Sequence, residues 1–396
     1  APHGDMTAVL SSDDVGVTPQ NTLPGVYISE DLGVVWENVT PPDFPNDHLR
    51  SVVALAPSNT DIIYILTYTG VGSGINEDVR LIKIDKSDYP NSLSYSDLSN
   101  NIPAFGAPVG SMNTQSNYNM VIAVHPNDPD FVLIGGTNLF RSTDGFATSP
   151  NSSSTSTKEN FWVGGYNIAN DVSQYPNQHP DQHAIVFDPN NTDRVITGHD
   201  GGLSVTDDIR AVPATWTDLN NGYNVTQFYT VALQDSENSN LIVGGTQDNG
   251  SPFFTFDLSG QSISPSEDLS SGDGAYAYLG DSFGYVSSQL GRVMRLKYLS
   301  DGTLTSPRTA PVGEWSVIKP IGSEGHLFIT PFVVDPSNEE IMYYLAGSAL
   351  WRNNQLSAIA NFQDSTSTGW SELTDLTPGN LLTTLEVSTT NPSHRL

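Results

Sequence analysis

A chain of 396 residues with a formal charge of −29, carrying 15 Lys and Arg against 44 Asp and Glu, is a poor partner for nucleic acid. Phosphate arrays must be neutralised by cations that this chain lacks, and the same argument excludes anionic membrane surfaces. The absence of cysteine removes disulfides and thiolate metal sites, and no apolar run approaches the roughly 18 residues that cross a bilayer as a helix.

Taken in order, the chain reads as short strands. Residues 6–11 and 25–39 hold two to three of them, with GVYISEDLGVVW at 25–36. Seven segments then share one pattern: an apolar strand, a turn of Pro, Asn, Asp or Ser, and a second apolar strand. They begin at Val52, Val121, Ala184, Thr230, Ala275, Ile329 and Thr383, and the fifth fits least well. No window places apolar residues at helical spacing for long enough to predict a helix. Third and fourth strands follow, as at 139–144 (LFRSTD) and 203–207 (LSVTD), the latter closed by Trp216 and Leu219. Units spaced by roughly 45 to 70 residues are in the range of propeller blades. The N-terminal strands lack a first strand and the segment from Thr383 supplies only a first strand, so the two ends are expected to make one blade. A ring closed in this way hides its sheet edges. The expectation is an all-β, seven-bladed β-propeller, a single domain over residues 1–396, with the closing blade shared between the two ends. Ala1 in place of Met, with no charged-then-apolar leader, leads us to expect a processed chain or a piece of a larger exported protein.

SEDLGVVW, with Ser29, Asp31, Gly33 and Trp36, resembles the Asp-box of the sialidase, sortilin and xyloglucanase-type propellers, and STDGF at 142–146 resembles a degraded copy without the Trp. DQHAIVFDP (181–189), GHDGG (198–202), QFY (227–229), GGTQDNG (244–250) and SGDG (271–274) resemble exported bacterial BNR or glycosyl-hydrolase-like repeat proteins, many of them from marine Bacteroidetes. The resemblance implies a propeller, secreted or at the cell surface. It leaves activity open, because one fold serves hydrolases, lectin-like modules and spacers. In the Asp-box turns, Asp31 and Asp144 are expected to bond their own backbone amides, and Trp36 to pack between blades.

In a propeller, the loop leading into each first strand lies on the same face as the turn between second and third strands. That places Asp181, His183, Asp200, Gln247, Asp248, Asn249, Asp273 and Gln289 on one face, with Tyr229 beside them. Asp181 and His183, two apart in an extended strand, point the same way. Asp181, Asp200 and Asp248 are the candidate catalytic carboxylates, as a glycoside hydrolase needs one protonated and one ionised. His183, Gln247, Asn249, Asp273, Tyr229 and Gln289 are candidate ligand-binding residues. Asp181, His183, Asp200 and Asp248 are candidate ligands for calcium, and His183 and Asp181 with His179 or His199 form an alternative zinc set. Against all of these stands the plain reading that Asp and Asn at turns satisfy local backbone donors.

Three functions fit: an exported module that binds carbohydrate or a surface partner, a glycoside hydrolase with paired aspartates, and a scaffold with bound calcium. The expected partners are a polysaccharide, a cell-surface glycan, or other domains or chains of a larger surface protein. A sialidase is disfavoured, since the ten arginines are scattered and no Phe-Arg-Ile-Pro motif is present.

Overall fold

The computed structural model describes residues 6–10, 24–166, 174–223, 226–234, 239–255, 266–307, 314–361, 364–373 and 379–388. The chain divides into two compact units, Ala1–Asn224 and Val225–Leu396. No α-helix occurs among the described residues, and none of their helices is long and apolar enough to cross a membrane.

The first unit holds four antiparallel meanders. The first is β1 (Met6–Leu10), β2 (Gly25–Ser29) and β3 (Glu37–Asn38); the second is β4 (Arg50–Ala56), β5 (Asn59–Tyr68), β6 (Val79–Asp85) and β7 (Ser94–Asp97). The third is β8 (Val121–His125), β9 (Asp128–Gly135), β10 (Leu139–Ser142) and β11 (Trp162–Gly164); the fourth is β12 (Gln182–Asp188), β13 (Asn191–His199), β14 (Gly202–Thr206) and β15 (Thr217–Asp218). The second unit holds three: β16 (Phe228–Leu233), β17 (Leu241–Thr246), β18 (Pro252–Thr255) and β19 (Glu267–Asp268); β20 (Gly274–Leu279), β21 (Phe283–Ser288), β22 (Arg292–Lys297) and β23 (Trp315–Val317); and β24 (Phe332–Val334), β25 (Met342–Ala346), β26 (Ala349–Asn353) and β27 (Trp370–Glu372). These seven successive sheets, six of four strands and one of three, are the blades of the seven-bladed, all-β propeller class read from the sequence.

Six of the seven repeated segments form the first two strands of a sheet, paired across the turn the sequence marks. The seventh differs. Residues 381–388 form no strand; Leu382, Leu385 and Val387 pack instead with Tyr343, Leu345 and Leu350 of β25 and β26. Residues 389–396 lie outside the described residues, and the first sheet has three strands, all from the N-terminal segment.

The core follows the period of two. On β5, Tyr64 and Leu66 enter one cluster with Phe131, Leu133, Phe140 and Phe146 of the third sheet, while Ile63 and Ile65 enter another with Val26 and Ile28 of the first. A strand buried on both faces reads as a continuous apolar run, which NTDIIYILTY becomes from Ile62 onward. In the second unit Tyr285 and Val293 face one cluster, and Val286 and Met294 face another.

Two turns between the last two strands of a sheet share one hydrogen-bonding scheme. Ser29 Oγ donates to Asp31 Oδ1 and accepts from Gly33 N, and Asp31 Oδ1 accepts from Val35 N. Likewise Ser142 Oγ donates to Asp144 Oδ1 and accepts from Phe146 N, and Asp144 Oδ2 accepts from Thr148 N. Both aspartates therefore serve their own turns, as expected. Trp36 does not behave as expected: it is exposed, and its indole N–H turns back to Gly33 O at 3.0 Å.

Candidate functional site

Two lead-in loops are each held by backbone bonds at two places. Asp181 N donates to Thr137 O in the turn of the preceding sheet, and Asp181 O accepts from Asp200 N in the turn of its own. In the second unit Gly250 N donates to Gly272 O, and Gln289 N to Asp273 O. Within each unit this bonding brings these lead-in loops and second-to-third turns together.

Some glycines beside these turns make room for neighbouring backbone. A Cβ on Gly245 would lie 1.8 Å from Ala275 O, and one on Gly274 would lie 2.0 Å from Gly250 O. Gly202, at φ +115, leaves room for the Asn220 amide that bonds Leu203 N and Gly201 O.

The candidate residues fall into two groups, one per unit. In the first unit, His183 Nε2 lies 2.5 Å from Asp200 Oδ1. The ring of Tyr118, itself 53% exposed, stands edge-on to His183 with centroids 5.1 Å apart. Asp181, in the left-handed region at φ 64, receives two amide donors on one oxygen: Asn119 Nδ2 at 2.6 Å and Gln115 Nε2. Burial, and then the charge of Asp200, push the Asp181 carboxyl up to about 6, against the pull of a Thr137 hydrogen bond and of His179 and His183.

Behind this group His179 and His199 stack at 5.7 Å. Ser204 Oγ donates to Asn177 O, so it accepts from His199 Nε2–H at 2.8 Å, which leaves Nδ1 as the acceptor; among the described residues that atom is buried without a partner. Burial first, and His179 next, lower His199 to about 4.

In the second unit, Asp273 is buried, and its Oδ1 accepts from Asp248 N at 3.2 Å and from the Tyr229 hydroxyl at 3.5 Å. Gln289 Oε1 accepts from Asp273 N, Gln247 N donates to Gln227 O, and Asn249 Nδ2 donates to Gln247 O. Burial and the Asp273 charge raise the Tyr229 hydroxyl. Here the plain reading carries much of the weight, since most of these polar heads satisfy the turns that present them.

The expected metal sets are not assembled. Among the described residues no three His, Asp or Glu side chains are placed to hold a metal ion. Their hydrogen bonds point elsewhere: Asp181 faces amide donors, His183 is engaged by Asp200, and His199 by Ser204. Asp248 belongs to the second unit.

Sequence reading missed Gln115, Tyr118 and Asn119, which come from the lead-in loop of β8. The signal was the polar run NTQSNYN just before the apolar VIAV.

A sign-dependent pH effect follows. Asp181, raised in the folded state, contributes stability that is complete below its unfolded value near 4 and is lost as pH rises through about 6. His199, lowered to about 4, contributes the opposite slope: stability is lost as pH falls from about 6.5 toward 4. We expect Asp181→Asn to steepen acid destabilisation between pH 6.5 and 4, and His199→Gln to relieve it. Urea unfolding at stepped pH reads both, and parallel curves for all three proteins would refute the assignment.

No family model matches the sequence, and no curated protein matches it. Among solved structures, a GH74 xyloglucanase from Xanthomonas campestris aligns at 14% identity over 87% of this chain and 51% of its own, with a TM-score of 0.33. The GH74 enzyme of Niastella koreensis aligns at 14% identity over 93% and 53%, with a TM-score of 0.27. YCF48 from Cyanidioschyzon merolae aligns at 10% identity over 81% and 85%, with a TM-score of 0.28. The chain thus spans about half the length of the two GH74 enzymes, and likenesses this remote carry no argument about its chemistry.

Proposed function

We propose that this chain is a carbohydrate-directed propeller module, exported or at the cell surface, that binds a glycan on the face of its first unit formed by Tyr118, Asp181, His183 and Asp200. One observation carries the reading: an exposed aromatic ring stands against an imidazole–carboxylate pair, with a third polar group, Asp181, held by two amides. A sugar offers an apolar ring face for Tyr118 and vicinal hydroxyls that both donate and accept, which His183 and Asp200 can meet.

Hydrolysis is the second reading, and the raised Asp181 favours it. A carboxyl at about 6 beside the Asp200 carboxyl is the kind of pair that acid-assisted glycoside cleavage uses. A panel of neutral and acidic polysaccharides, with and without calcium and chelator, tests both readings by binding calorimetry and by assay of new reducing ends. We expect at least one glycan to bind, and both Tyr118→Ala and Asp200→Asn to weaken it by about tenfold or more. Reducing ends that Asp181→Asn abolishes would make the protein an enzyme. A panel without any binding or product would sink both readings.

A further inference from the structure

The loop that carries Gln115, Tyr118 and Asn119 is strained. Asn113, Gln115, Ser116 and Asn117 all have positive φ, at 46, 49, 56 and 76°. Non-glycine residues occupy this region singly and at a cost of roughly 1–3 kcal/mol each, so a run of them persists only where surrounding contacts over-determine it. Two charged side chains from the second sheet supply those contacts. Glu77, in the turn before β6, accepts from Thr114 N at 2.6 Å and Thr114 Oγ1 at 2.7 Å through one oxygen, and from Ser116 N at 2.5 Å and Gly74 N at 3.2 Å through the other. Arg50, at the start of β4, donates to Asn117 O at 2.5 Å, Tyr118 O at 2.8 Å and Met120 O at 3.5 Å.

We infer that Glu77 and Arg50 are positioning residues, a two-sided clamp that holds the loop of residues 113–119 in its strained form so that Gln115, Tyr118 and Asn119 stand over Asp181 and His183. Glu77 gathers amides and one hydroxyl, and Arg50 gathers carbonyls, so together they take up backbone groups that a strained loop leaves without ladder partners. With either released, the loop's four left-handed residues are left to its own bonds, such as Gln115 N to Asn113 Oδ1 and Asn117 N to Thr114 Oγ1, and to Thr137 N on Asn113 O. Tyr118 then leaves His183, and the two amides leave Asp181. This inference rests on the glycan-binding reading for its consequence, but the clamp has a consequence of its own: the access of reagents to His183.

The test compares the whole chain with Glu77→Gln and Arg50→Met, and with Thr114→Val, which removes one donor to Glu77 and also the hydroxyl that accepts from Asn117 N. Three readings are taken: amide exchange at Thr114 and Ser116, the carbethoxylation rate of His183 by peptide mass spectrometry, and affinity for the glycan found above. We expect exchange to quicken in the loop while β8 and β9 keep their protection. His183 should react several-fold faster, and affinity should fall by about tenfold or more with little change in the unfolding midpoint. Unchanged His183 reactivity in a loosened loop would overturn the positioning role, as would unchanged affinity. If Glu77→Gln unfolds globally, Arg50→Met decides by the same readings. If the wild-type chain binds no glycan, the functional reading fails while His183 reactivity still judges the clamp.

Discussion

Arg141→Met is expected to be among the most damaging single substitutions in the first unit, costing on the order of 3–5 kcal/mol. Arg141 is 1% exposed, in the middle of β10, and its guanidinium donates to four backbone carbonyls: Asn160 O at 3.0 Å, Glu159 O at 2.8 Å, Ala211 O at 2.7 Å, and Ile209 O. Two lie in the third sheet's own connection and two in that of the fourth, so one side chain joins adjacent blades. Methionine fills similar volume and restores none of those bonds, leaving carbonyls buried without donors. Arg295 repeats the device on β22, donating to Leu356 O, Ile359 O and Asn361 Oδ1. Chemical denaturation of Arg141→Met and Arg141→Lys checks the claim; a loss below about 1 kcal/mol in both would contradict it.

Gly245→Ala is expected to do comparable harm in the second unit by crowding. The added methyl would stand 1.8 Å from Ala275 O and 2.6 Å from its carbonyl carbon, well inside any real contact, and both are backbone atoms that no rotamer change can move. The two sheets must part, with a cost of about 1–3 kcal/mol or more. Gly106→Ala is the control, since nothing lies within 4 Å of a Cβ there, although its φ of +83° brings some strain. Equal melting temperatures for the Gly245 and Gly106 variants would show that the sheets are not in close contact at this point.

The fold was largely legible because its grammar is local. Paired apolar runs such as VIAV and FVLIGG are separated by turn residues that name the hairpin, and they needed no knowledge of distant partners. The last segment failed on the same terms. TTLEV has the alternation of a strand, but Val387 is buried, and Leu382 and Leu385 partly buried, against β25 and β26 without ladder pairing. Propensity proposes a strand, and tertiary packing decides.

The site was legible only in part. Asp181, His183 and Asp200 lie at the ends of paired strands, where register alone brings them together. Gln115 and Asn119 reach Asp181 across 66 and 62 residues from a loop whose left-handed backbone no propensity would predict. Arg141 was not legible as a buried cation, because its acceptors are carbonyls and carbonyls carry no sequence signal.

The central claim is that glycan binds the first unit at Tyr118 and His183, and hydroxyl-radical footprinting of the whole chain with its best-binding polysaccharide tests it most directly. The account predicts protection of Tyr118 and His183, with Tyr229 and the buried Tyr64 unchanged. Protection at Tyr229 without Tyr118, or no protection at saturating glycan, would contradict it.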